Sequence, residues 1–238
     1  MLINVKKEIS SKCFLKNSRA FTLAEVLITL GIIGIVASMT IPTLINTAND
    51  LKFKSAWKKS YSEISQVVTL IKSERGDLDY GGTYPTAPQG FYNDFISNIS
   101  VVQSSTNAGA GGFFFHSVIA SPNRKWYSLN GTECTTGPNT GYPSGILKSG
   151  ALFYISGLSD FEILIDVNGY ALPNTIGKDI FGVHAYTIGR VAPGGSFKSS
   201  EFLSTLNTSN CYDASVTVGQ TCDSSHVGWG CSATKLME

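Results

Sequence analysis

Phe21-Thr22-Leu23-Ala24-Glu25-Val26-Leu27-Ile28-Thr29-Leu30-Gly31-Ile32-Ile33-Gly34-Ile35-Val36-Ala37-Ser38-Met39-Thr40-Ile41 is the stretch that decides how this chain is organised. A helix needs about 20 apolar residues to cross a bilayer, and this run supplies 21. Its single charge is Glu25. An acid at the centre of a membrane helix costs about 2.5–3.5 kcal/mol and somewhat less near an end. An acid kept there calls for a partner. The hydroxyls of Thr22, Thr29, Ser38 and Thr40 can return to the backbone, so they do not forbid a spanning helix.

The helical pattern continues beyond the run. Pro42 removes a backbone donor and predicts a kink or local loosening rather than a stop. Phe53, Trp57, Tyr61, Ile64, Val68 and Ile71 then recur at spacings of 4, 4, 3, 4 and 3, one apolar face of a helix. Gly76 is the expected stop. The first part of such a helix must bury in a membrane or in other helices, whereas the second can pack against the chain's own domain.

Five basic residues (Lys6, Lys7, Lys12, Lys16, Arg19) precede the apolar run, and the junction reads Arg19-Ala20-Phe21-Thr22-Leu23-Ala24-Glu25. This pattern resembles the prepilin signal of type IV pilins and type II secretion pseudopilins, over Lys16 to about Ile45. The resemblance implies cleavage by a membrane-embedded prepilin peptidase between Ala20 and Phe21, with methylation of the new amine. Glu25 then becomes the fifth residue of the mature chain, where the family keeps its glutamate. Pro42 falls where many members have a helix-loosening proline, and Gly31 and Gly34 suit closely packed N-terminal helices. The family usually has Gly before the cut, where this chain has Ala20.

Four segments follow: a leader at 1–20, a transmembrane and assembly helix at 21–45, its amphipathic continuation at 46–76, and a β-rich globular domain at 77–238. The leader carries five basic side chains and Glu8; the remaining 218 residues carry 13 basic and 16 acidic side chains. A basic, cytoplasm-facing tip therefore precedes a mildly acidic exported body, and Lys52, Lys54, Lys58 and Lys59 just beyond the run weaken that asymmetry. The expected location is the bacterial inner membrane, single-pass with the N-terminus cytoplasmic, and then a filament.

Beyond Gly76 the composition turns to Gly, Ser, Thr, Asn and Pro. Tyr80 to Gly90 reads as loop and Phe91 to Val102 as a short helix or irregular segment. Strand signals recur at Ala151–Ile155, Phe161–Asp166 and Ala185–Val191. The expected fold is α+β, a long N-terminal helix packed on an antiparallel sheet, as the pilin resemblance also implies. Cys13 lies in the leader; Cys134, Cys211, Cys222 and Cys231 remain as disulfide candidates, with three pairings open and at least one bond expected among the last three. Zinc is the alternative, although no C-x-x-C pair supports it.

The segment from Asp166 through Asn168-Gly169 to Asp179 has two readings. Asn-Gly is a strong hairpin-turn signal. Asp166, Asn168 and Asp179 are also oxygen donors of the kind calcium takes, and some pseudopilins bind calcium in a loop of the C-terminal sheet. His116, His184 and His226 are isolated, and no nucleophile elbow, zinc-protease, P-loop or Rossmann fingerprint appears, so the reading is not an enzyme. Trp126, Tyr127, Tyr142, Tyr154 and Trp229 read as core filler or a binding surface. Expected partners are other pilin or pseudopilin subunits, the prepilin peptidase, the inner-membrane assembly platform and membrane lipid; the acidic mature chain disfavours nucleic acid. The competing functions are an uncleaved membrane-anchored extracellular binding protein and a secreted or anchored hydrolase.

Overall fold

A computed structural model of the chain describes residues 21–81, 86–106, 127–134, 143–156, 160–194, 222, 228 and 230–237. Two compact units divide between Thr47 and Ala48. The first described element is helix α1, Leu23–Arg75. In the N-terminal unit its apolar side chains are exposed, among them Leu27, Ile33 and Met39. Helix α1 runs through Pro42, as the resumed periodicity after the proline requires. It is long and apolar enough to cross a membrane. Thr29, Ser38 and Thr40 donate their hydroxyls to the carbonyls of Val26, Ile35 and Val36, so their polar groups are satisfied within the helix.

The C-terminal unit begins with the amphipathic part of α1. Phe53, Trp57, Ser60, Ile64, Val67, Val68 and Ile71 are buried on one face, and Tyr61 is half-buried beside them. Gly76 ends the helix in the left-handed region at φ 93°, and its amide donates to Lys72 O at 2.8 Å. This is the expected glycine cap, which satisfies one orphan carbonyl of the last turn. Helix α2 (Thr86–Asn98) starts inside the segment read as loop, and β1 (Val101–Ser105) follows it directly.

Strands β1, β2 (Ser144–Leu147), β3 (Leu152–Ser156), β4 (Phe161–Asp166), β5 (Ile180–Ala185) and β6 (Val191–Pro193) form one antiparallel meander in sequence order. The signals for β3 and β4 match the observed strands. The expected strand at Ala185–Val191 is corrected: Ala185 closes β5, and residues 186–190 turn the chain into β6, with Tyr186 and Arg190 sharing the turn's hydrogen bond. The architecture is α+β.

Strand alternation sets the core. Phe153, Ile155, Phe161, Ile163, Ile165, Phe181, Val183 and Ala185 point to the face that α1 and α2 cover. Trp57 stacks on Phe181 with centroids 4.8 Å apart, and Phe91 stacks on Phe161 at 4.2 Å. The opposite face, with Leu152, Tyr154, Glu162, Leu164 and His184, is buried as well. Tyr154 is thus interior, in line with its reading as core filler. A short C-terminal helix, α3 (Cys231–Met237), docks at β5: Ser232 Oγ accepts from Gly182 N at 3.0 Å, and Ser232 O accepts from Trp57 Nε1 at 2.9 Å.

Candidate functional site

The processing and assembly residues gather at the start of α1. Ala20 lies outside the described residues, and Phe21 is 85% exposed. Thr22 is the helix cap. Its hydroxyl accepts from Glu25 N at 3.2 Å, while Glu25 Oε2 accepts from Thr22 N at 2.8 Å and from Thr22 Oγ1 at 2.9 Å. Two orphan amides of the first turn are satisfied reciprocally, which is a capping box. Glu25 also lies where the helix dipole favours a negative charge. This role was absent from the sequence expectations, although Thr-x-x-Glu before an apolar run is its signature. The only charge between Phe21 and Asn49 is therefore bound locally, four residues from the expected new N-terminus. Apart from adjoining residues and the helix's own backbone, no atom lies within 4 Å of where a Cβ would stand at Gly31 or Gly34, so both glycines leave bare helix surface for a neighbour's approach.

The second candidate site lies between β4 and β5. Asp166 and Asp179 are fully buried, and the β4–β5 register sets Asp166 opposite Ile180, next to Asp179. Asp166 Oδ1 accepts from Asn168 N at 3.2 Å, an Asx turn. Asp179 accepts from Asn174 N at 2.8 Å and Thr175 N at 2.5 Å, and from the Asn168 side chain. Burial pushes Asp179 up to about 6, and these hydrogen bonds oppose the rise. Asn168 Nδ2 also donates to Leu172 O at 3.0 Å, whereas Asn168 Oδ1 is a buried oxygen with no donor. The connection is no two-residue hairpin: Gly169, at φ 66°, turns the chain at its start, but residues 167–179 separate the strands. The structure thus brings Asp166, Asn168 and Asp179 together. Among the described residues no group of three or more His, Cys, Asp or Glu side chains could hold a metal, so any cation site here depends on amide and backbone oxygens.

Cys222 and Cys231 are joined by a disulfide, as expected within the last three cysteines. Cys134 is disulfide-bonded too, and Cys211 lies outside the described residues. His184 is buried opposite Glu162, and burial lowers it to about 4 against the pull of Asp160. His116, His226, Trp126, Tyr142 and Trp229 lie outside the described residues, as does the leader.

No curated protein and no solved structure matches the chain. One family model does, over residues 15–41: the prokaryotic N-terminal methylation motif. The exposed apolar helix, its capped lone glutamate and that match coincide on one segment, so this chain carries the prepilin signal of type IV pilins and pseudopilins.

Proposed function

We propose that the chain is a structural subunit, a minor pilin or a pseudopilin, of a type IV pilus or type II secretion-type filament. The observation that carries this reading is Glu25, a single carboxylate in an apolar helix, positioned by Thr22 beside the expected new N-terminus. The chain inserts with its leader in the cytoplasm and the C-terminal unit outside. Prepilin peptidase cuts between Ala20 and Phe21 and methylates the freed amine. Before assembly the capping box satisfies the carboxylate and reduces the cost of holding it in lipid. In the filament a neighbour's N-terminal ammonium offers Glu25 a charge-assisted partner in low dielectric. That pairing favours one stagger between subunits, and apolar packing at Gly31 and Gly34 completes the contact. Pro42 frees a carbonyl one turn earlier and gives the helix room to adjust. The inner-membrane assembly platform receives the mature chain; chemistry on a substrate plays no part.

The test is intact mass and N-terminal sequencing from membranes with and without a prepilin peptidase. N-methylated Phe21, absent from the control, supports the reading. An unprocessed chain in both favours the static anchor. Glu25→Ala is expected to lower filament incorporation at least tenfold while leaving processing and the C-terminal fold unchanged; full assembly of that variant refutes the pairing.

Under the same reading the loop between β4 and β5 takes a calcium ion, held by Asp166, Asn168 and Asp179 with backbone oxygens. The favouring observation is Asn168 Oδ1, a buried acceptor that no donor meets. A bound dication would offset two buried carboxylates and tie β4 to β5. Calcium, and not magnesium, should raise the melting temperature of the wild type and leave Asp179→Asn unmoved. Identical melting with calcium and with chelator rules the site out.

A further inference from the structure

The part of α1 that packs on the sheet buries Phe53, Trp57 and Ser60 at its start. Leu51, Lys52, Ser55 and Lys58 are exposed, Leu51 at 62%. At about 3.6 residues per turn these four fall on the arc of the helix away from the buried three. The lysines on this arc have no acid of their own. Between Asn46 and Lys72 the helix carries two acids, Asp50 and Glu63. Each is already matched by another lysine: Lys178 Nζ lies 3.6 Å from Asp50 Oδ1, and Lys59 Nζ lies 3.8 Å from Glu63 Oε1. Lys52 and Lys58 make no ion pair, hydrogen bond or ring contact with any described residue. Both also run against the charge asymmetry that orients a spanning helix, because they stand on the side expected to be exported.

An exposed leucine beside two unmatched lysines, just beyond an apolar run, is the composition of an interfacial helix face. The apolar chain suits the acyl boundary, and the ammonium groups suit the phosphates. We propose that this face docks on an anionic leaflet at the exported side of the membrane, on phosphodiester headgroups that carry no ammonium of their own. Helix α1 is unbroken from Ile45 to Lys58. At about 1.5 Å per residue Lys52 lies about 10 Å beyond Ile45, and Lys58 about 20 Å. The headgroup layer adds about 5–7 Å to each side of the hydrocarbon. Side chains on a helix lean towards its N-terminus, which here is towards the membrane. Lys52 thus reaches the phosphates, and Lys58 meets their potential across one Debye length, about 8 Å. A zwitterionic leaflet offers no such field. Docking holds the outer end of the span at one depth until a neighbouring subunit takes it up. The lipid partner rests on the membrane-spanning reading of α1; the unmatched lysines do not.

The experiment titrates the full chain in maltoside micelles with dihexanoylphosphatidylglycerol or dihexanoylphosphatidylcholine and reads backbone amide shifts. Phosphatidylglycerol should move the amides of Leu51, Lys52, Ser55 and Lys58 at a concentration where phosphatidylcholine leaves them in place. Salt at about 0.5 M should remove that difference. Combined Lys52→Gln and Lys58→Gln should weaken the phosphatidylglycerol response at least fivefold. Combined Lys148→Gln and Arg190→Gln, the same charge loss on turns of the sheet, should weaken it less than twofold. An equal response to the two lipids, or equal weakening by the two double variants, overturns the proposal. Shifts of the same amides that follow protein concentration without lipid also overturn it and assign the face to a second copy. The comparison of the two lipids needs only the wild type, so it decides whether or not a variant folds. Failure of cleavage at Phe21 would leave this assay unaffected, so the two readings fail separately.

Discussion

Residues 23–47 and 48–75 of α1 share one helical backbone but have opposite dependence on the rest of the chain. In the first stretch Leu27 is 60% exposed and Ile33 62%; in the second Trp57 and Ile64 are fully buried. Helical propensity alone is marginal, and an amphipathic face packed on something supplies most of a helix's stability. The second stretch finds that surface in β3, β4 and β5. The first has an apolar surface far larger than a soluble monomer normally shows, the mark of a membrane or protein interface. The same element is thus a folding determinant in one half and an association determinant in the other.

The sharpest way to break this comparison is a substitution that acts in only one half. Trp57→Ala removes the ring stacked on Phe181 and the donor to Ser232 O. A buried Trp→Ala costs about 3–5 kcal/mol, so the variant should unfold at markedly lower denaturant. Glu25→Ala should leave the same transition within about 0.5 kcal/mol, as surface changes do. Equal effects on unfolding would erase the distinction between the halves.

A slightly smaller effect belongs to the buried sheet. His184 is lowered to about 4 by burial, so the folded state binds fewer protons than the unfolded chain between about 4 and the ordinary value of 6.5. Stability contributed by neutral His184 is present above pH 6.5 and lost as pH falls towards 4. A shift of this size corresponds to roughly 3 kcal/mol. Asp179, raised to about 6, gains stability over the same fall in pH, so the His184 loss is read as the difference between wild type and His184→Gln in melting curves of the full chain from pH 7.5 to 4.5. Residues 23–47 hold no buried titratable side chain, so their helicity in micelles should not follow that curve.

The long helix was legible because period and length are strong signals, and Gly76 marked its end. Strands β3 and β4 were legible from dense apolar runs at a sheet centre. Helix α2 was not, because Pro88 and Gly90 read as loop punctuation; yet Pro88 lies in the first turn, where a missing N–H is harmless. Strand β5 was hidden in part by Gly182 and His184, which weaken a strand pattern but suit contacts with Ser232 and Glu162. The acids around Asn168 were visible, but their meeting required the register of β4 on β5.

The finest test lies at the first turn, where the capping box was legible as Thr22-x-x-Glu25 and was read only as a lone acid. Thr22→Ala removes the acceptor of Glu25 N and one of the two donors to Glu25 Oε2. Loss of such a cap costs about 1 kcal/mol, close to a fivefold change in opening. Exchange of the Glu25 amide should therefore quicken about fivefold in micelles, with Trp57 and the sheet untouched. Thr22→Ser, which keeps the hydroxyl, should restore the wild-type rate. If incorporation into filaments also survives Thr22→Ala while Glu25→Ala abolishes it, the cap is a holding position for the carboxylate and the neighbour's amine is its destination. If both variants fail alike, helix entry at Thr22 is itself the assembly determinant, and Glu25 acts through the cap.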